Sequence, residues 1–331
     1  MLPCRLLSTI PNVSAAIYIG AYSAQMLIAR MKPELNSFEL VNQFTTLTHM
    51  MQDCSEDGIV SETGMQRLFH VLREFHQTGL LEGVSVFYVA ATSSLRSVTN
   101  RSLILLGCQR EFGEFPRLLS GRDEARLNFI GAISDAMANM PVIAFYPGFN
   151  NICLAYGTAS RIDAAFELDF GISDINERLE KLRRMMFRPF RVAALHRYVT
   201  KHLAGFSADY KKWRESIVIE PEFMAIGPVP MGCLALLTKQ PVFGTVDSIS
   251  AIPQTTASLT EMSRSLVLQP PEAPLRQPGI DREMAPVLAA GMMTLRCALE
   301  LTGSYEFRVT PFGVCAGMLK SPSWLFTQTN V

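Results

Sequence analysis

VSAAIYIGAYSAQMLIARM, residues 13–31, is the stretch that decides the fold. Val13 to Ile19 is a short apolar run bounded by Gly20, the pattern of a buried strand. Ser23 to Met31 reads as a second strand after a tight turn. Phe38 to His49, rich in Phe, Val and Thr, reads as a third. The pattern restarts later as Val142 to Phe145, a Pro147-Gly148 turn, and Ile152 to Gly157. Two strand–turn–strand units separated by helical sequence predict an α/β chain, not a bundle or a barrel.

The intervening sequence is helical by period. Asp57-Gly58 marks a turn, and Ser61 offers an N-cap oxygen to a helix whose face carries Met65, Leu68, Phe69, Leu72 and Phe75 and which ends near Gly79. Val84 to Ala91 is another buried strand. Thr92-Ser93-Ser94 then opens a helix carrying Leu95, Val98, Leu103 and Leu106, and Glu124 lies early in the next. Beyond residue 157 the expectations are a basic helical stretch from Ile175 to Leu203 and a strand at Phe223 to Ile226. A polar loop follows at Gly244 to Ser258, then a Pro-rich surface linker from Pro270 to Gly279. A buried helix from Met284 to Leu301 precedes a last strand, Phe307 to Thr310. The restart near residue 141 puts the boundary between two lobes at about 133–141.

The totals narrow the function classes. A chain of 331 residues, 48% hydrophobic, has apolar material for two cores. Lys+Arg and Asp+Glu both number 30, so net charge supplies no reason to expect nucleic acid or an anionic membrane as partner. No apolar run reaches the roughly 18–20 residues that span a bilayer, and Met1 to Asn12 lacks the apolar core of a secretory signal. The seven cysteines, Cys4, Cys54, Cys108, Cys153, Cys233, Cys297 and Cys315, are scattered and never in C-x-x-C spacing. That usage fits reduced thiols in a cytoplasmic protein. His70/His76 and His196/His202 are each six apart, which on a helix turns them to different faces, so no zinc site is expected from them. Arg178 to Arg191 is read as a solvated helix face.

Two such units, with a turn where a phosphate would sit in each, resemble the actin and sugar-kinase superfamily. The likeness narrows to the exopolyphosphatase / guanosine pentaphosphate phosphohydrolase (Ppx/GppA) family, from about Ser14 to Leu319. The family's first phosphate loop, close to A-I-D-I-G-S-N-S, is similar to AIYIGAYS at 16–23. Its A-T-S-A-L-R-x-A-x-N is nearly intact as ATSSLRSVTN at 91–100, and its S-G-x-E-E-A-R-L appears as SGRDEARL at 120–127. The resemblance implies two ribonuclease-H-like (actin-like ATPase) lobes with a cleft between them. They would span residues 12–135 and 136–320, with the last helix a candidate to pack back on the first lobe and tails at 1–11 and 321–331. It also implies phosphate contacts from Arg96, Gly20, Ser23, Gly148 and Asn151, and a general base at Glu124.

The departures lie in the loops. The family's V-I-D-I-G-G-G-S-T-E falls on AFYPGFNNIC at 144–153, its G-x-G-G-T on IGPVPMG at 226–232, and its G-L-R-E-G on GVCAG at 313–317. Its two loop carboxylates align with Tyr18 and Tyr146, its loop Asn with Tyr22. Pro147, Phe149 and Cys153 stand at further altered positions. Proline has no N–H to give an anion, and phenols are poor ligands for the Mg²⁺ that the family uses. No cofactor is therefore expected. The resemblance leaves three readings open. One is a catalytically silent member that binds a phosphorylated small molecule or regulates. Another is a drifted hydrolase using Arg96, Glu124, Asp123, Ser23 and Thr92, with Tyr18, Tyr22, Tyr146 and Phe149 lining a pocket. The third is an assembly subunit, as a homodimer or with an active relative.

Overall fold

Six of the seven residues of the first strand, β1 (Val13–Ile19), are buried, as a strand flanked on both sides and covered on both faces must be. It pairs antiparallel with β2 (Ser23–Lys32), Ile17 opposite Met26, and β2 pairs antiparallel with β3 (Ser37–Leu47) around a bulge at Ile28/Ala29. On its other side β1 runs parallel to β4 (Val86–Ala91), beside the short β5 (Arg117–Leu118). The sheet order is β3-β2-β1-β4-β5. The computed structural model describes residues 13–32, 37–134, 137, 140–241 and 252–321. Most of the polar loop expected at Gly244 to Ser258, and nearly all of both expected tails, lie outside them.

The second sheet repeats the first. β6 (Val142–Pro147), β7 (Ile152–Thr158) and β8 (Arg161–Leu168) form an antiparallel meander, and β9 (Glu222–Ile226) runs parallel to β6. β11 (Glu306–Thr310) runs parallel to β9, with β10 (Gln254–Thr255) beside it. From β8 to β11 the order is β8-β7-β6-β9-β11, the same 3-2-1-4-5 arrangement. Both sheets therefore have the ribonuclease-H-like plan expected from the sequence. Backbone contacts divide the chain into Met1–Leu119 with Met318–Val331, and Ser120–Gly317. The second unit starts at 120, ahead of the strand restart, because helix α3 (Gly121–Ala132) packs on β6, β7 and β8.

In the first unit, α1 (Glu62–Leu81) begins where Ser61 Oγ accepts the Gly64 amide. The helix expected from Thr92 onward is broken. Ser93–Ser97 is a 3-10 turn, and α2 (Arg101–Phe112) starts only after an extended Val98. The cause is a tie to the loop before α1. The Asn100 amide bonds both the N–H and the C=O of Val60, and the Thr99 N–H bonds the Gly58 carbonyl. These bonds fix 98–100 as a bridge, so Leu103 and Leu106 are exposed rather than core.

In the second unit the basic stretch splits into α4 (Ile172–Met185) and α5 (Arg188–Leu203), with Pro189 in the first turn of α5. Arg191 closes the joint, donating to the carbonyls of Met186 and Arg183. α6 (Ser207–Glu215), α7 (Pro228–Thr238) and α8 (Thr256–Leu268) follow. They precede the buried α9 (Leu288–Thr302) and α10 (Val314–Lys320). No helix among the described residues is long and apolar enough to cross a membrane.

Candidate phosphate site

In each meander the turn after the first strand carries a glycine, Gly20 or Gly148, and several of the residues singled out from the sequence lie at or beside those turns. In the first unit the turn runs from Gly20 to Tyr22. The Gly20 N–H bonds the Ser23 carbonyl, and the carbonyls of Ala21 and Tyr22 accept from Met51, Thr48 and His49. Tyr22 meets the His49 ring edge-on, centroids 4.2 Å apart. Tyr18 and Ser23 are buried. Arg96, on the 3-10 turn after β4, is exposed, and its Nε and Nη2 donate to the carbonyls of Leu119 and Leu118 at 3.1 and 3.0 Å. The guanidinium thereby ties its turn to the segment leaving β5.

The second unit brings together Tyr146, Gly148, Phe149, Asn151, Cys153 and Glu124. Tyr146, at the end of β6, is 8% exposed. Its ring passes between two glycines. A methyl group on Gly227 would lie 2.7 Å from Tyr146 Cε2, and one on Gly148 would lie 2.9 Å from Cε1. Gly227 has φ 98°, a conformation that glycine adopts without strain, and it stands immediately before α7. Pro228 and Pro230, in the first turn of that helix, carry no N–H.

The turn itself is tied down by backbone. The carbonyls of Gly148 and Phe149 accept the amides of Ile172 and Ser173 in the first turn of α4, at 3.0 and 2.9 Å, and Ser173 Oγ also donates to Phe149 at 2.5 Å. The N–H of Gly171 goes to the Asp174 carboxylate. A helix N-terminus is a ready anion site when its amides are free. Here these amides have protein acceptors.

Below the turn lies a carboxylate pair. Glu124 sits in the first turn of α3 and is fully buried. The Asn151 Nδ2 group donates to Glu124 Oε1 at 3.1 Å and to Glu167 Oε1 at 2.8 Å. Glu167, on β8, lies over the bare α-carbon of Gly121, where any side chain would collide with its carboxyl group. Both carboxylates thus stand at the α3 N-terminus, where the helix dipole favours negative charge. α3 is fixed by a capping box in which Ser120 Oγ accepts the Asp123 amide and donates to its carboxylate. Burial, and then the nearby Glu124 and Glu167, push the Cys153 thiol well above its ordinary range, so it stays protonated and is no nucleophile.

The chemistry available is that of two carboxylates, Glu124 buried and Glu167 half-buried, that share the neutral amide donor of Asn151. Glu167 was not anticipated, because β8 was not. Its signal is the alternation of Ile162, Ala164, Phe166 and Leu168 directly after the β7 run. The glycines kept at 313 and 317 have a packing role. A methyl on Gly317 would lie 2.1 Å from the Leu127 carbonyl of α3, and the Gly313 carbonyl lies equally close to the position of a methyl on Gly131.

A sequence model of the Ppx/GppA phosphatase family matches residues 27–224. The chain belongs to this family. Its fold follows solved Ppx/GppA proteins over almost the whole length. The crystal structure of the Aquifex aeolicus family member is 17% identical, covers 96% of this chain and 99% of its own, and superposes with a TM-score of 0.76. An exopolyphosphatase from Cytophaga hutchinsonii is 14% identical over 94% of this chain and 97% of that one, with a TM-score of 0.80. An exopolyphosphatase-like protein is 17% identical over 96% and 99%, also at 0.80. At these identities the likeness carries the Ppx/GppA fold alone.

Proposed function

We propose that this Ppx/GppA-family chain is catalytically silent, and serves by binding a phosphorylated small molecule or by assembling with itself or a relative. The observation that carries the reading is the Tyr146 ring lodged between Gly148 and Gly227. Phosphoryl transfer needs a phosphate cradled by backbone amides, its charge neutralised, and a water oriented for attack. The ring takes up the space between the glycines, the amides at the start of α4 are bonded to Gly148 and Phe149, and Pro228 and Pro230 donate nothing. Each charge-assisted donor lost from a phosphate costs about 1.5–3 kcal/mol.

The magnesium that the family resemblance implies does not fit these residues. Tyr18 and Tyr146 offer phenols where carboxylates are expected. Between Glu124 and Glu167 lies the Asn151 amide, a neutral donor where a hard cation would need open oxygen ligands. The Asn151 amide on Glu124 Oε1 favours a structural role for that carboxylate over a general base.

Phosphate release from polyphosphate, guanosine pentaphosphate or ATP with Mg²⁺ is expected to stay at the buffer level. Turnover that vanishes in Glu124→Gln would instead identify a drifted hydrolase, with Glu124 as base and Arg96 on the phosphate. Light scattering behind size exclusion, alone and with lysate, distinguishes self-assembly from a heteromer.

A further inference from the structure

Two helices of the second unit place a histidine, a thiol and a carboxylate together, away from the carboxylate pair of the phosphate site. Cys297 and Glu300 are three apart on α9 and so share one face of it. His196 comes from α5, which packs on α9. One donor atom from each, an imidazole nitrogen, Sγ and a carboxylate oxygen, all lie within 4.8 Å of one another. It is the one such trio among the described residues. The spacing of the histidines gave no hint of it, because the partners of His196 come from another helix. His202, six residues on, stacks on Phe170 instead.

We propose that His196, Cys297 and Glu300 form a binding site for a borderline-soft divalent ion, zinc being the fitting choice. Nitrogen and sulfur donors select zinc over the hard, oxygen-seeking magnesium. The carboxylate is already oriented. Arg296 Nε holds Glu300 Oε1 at 2.8 Å, which leaves Oε2 against His196 Nε2 at 2.5 Å. This is the outer support that a ligating carboxylate requires. Cys297 is 2% exposed, whereas the side chains of His196 and Glu300 are 30% and 37% exposed. The site therefore has a buried floor and an open side, and its fourth position faces solvent. Metal–ligand distances of about 2.0–2.3 Å in a tetrahedral site require the His196–Glu300 pair to open to about 3.3 Å, a rotamer adjustment at half-exposed side chains. Binding exchanges the thiol proton, released to solvent, for a metal–sulfur bond.

The full chain, stripped with a chelator, is titrated with Zn²⁺ against a chromophoric competitor, and separately with Co²⁺ as a visible substitute. One ion per chain is expected, with a sulfur-to-cobalt charge-transfer absorption. His196→Gln and Cys297→Ser should each weaken binding about tenfold or more, and Cys297→Ser should abolish the absorption. His196 is half-exposed, so its variant remains informative if the buried Cys297→Ser fails to fold. Equal affinity in the wild type and His196→Gln, no stoichiometric binding, or a cobalt complex without thiolate absorption would overturn the proposal. The cluster would then be two ion pairs, His196–Glu300 and Arg296–Glu300, beside a packing cysteine.

Discussion

Tyr146 touches two turns that are distant in sequence, and its neighbours explain both its burial and its chemistry. The ring supplies packing where Gly148 and Gly227 supply only α-carbons. Removing it leaves a hole that neither Gly148 nor Gly227 has a side chain to fill. Tyr146→Ala is therefore expected to lower the unfolding free energy by about 3 kcal/mol, within the range for large buried aromatics. The midpoint of urea unfolding, at unchanged slope, checks it. The sequence marked Tyr146 as an altered position but did not reveal what the ring would touch. Gly227 lies in another motif, and Glu167 lies on a strand whose alternation went unread. Arg96 shows the converse. Its motif is almost intact, yet the side chain bonds the carbonyls of Leu118 and Leu119, a role that no spacing rule announces.

At the scale of elements, the informative segment is α3, which carries Glu124 and packs on three strands of the second sheet. Its first turn depends on Ser120, which caps it in both directions. Ser120→Ala should cost about 1 kcal/mol, the usual value for a lost N-cap. It should also raise amide exchange in 121–125 before the rest of the helix, which hydrogen exchange with mass spectrometry resolves. Caps of this kind were legible at Ser61, where a small polar residue precedes an apolar period. The break between the 3-10 turn and α2 was not, because the Asn100–Val60 bonds that impose it span the whole of α1. Local pattern sees Leu95, Val98, Leu103 and Leu106 at near-helical spacing there, and tertiary hydrogen bonds override it. α7 was hidden for another reason. Its two prolines suggest a loop, yet the first turn of a helix tolerates proline because the amides there need no intrahelical acceptor.

Across the whole molecule, the doubled sheet order was readable because strand pattern and turn both recur. The later helices α6 and α8 left no comparable mark. One bulk property follows from the buried thiols. Burial pushes Cys108 up to about 12 and moves Cys153 and Cys233 higher as well, from an ordinary value of 9.0. Below that value folded and unfolded chains both hold these protons, and the contribution to stability is fully present. Above it the unfolded chain releases them first, so stability falls as pH rises. The slope is at most about 1.4 kcal/mol per pH unit for each thiol. Urea midpoints measured from pH 9 upward should decline, and less steeply in Cys108→Ala. The tyrosine wedged between two glycines also bears on how these turns would answer a substitution. Swapping it for a small acid would open a void before any ligand could occupy it, and the amides at the start of α4 would still be committed elsewhere. An acid placed there by itself would thus come with a weaker fold and no amide released at α4.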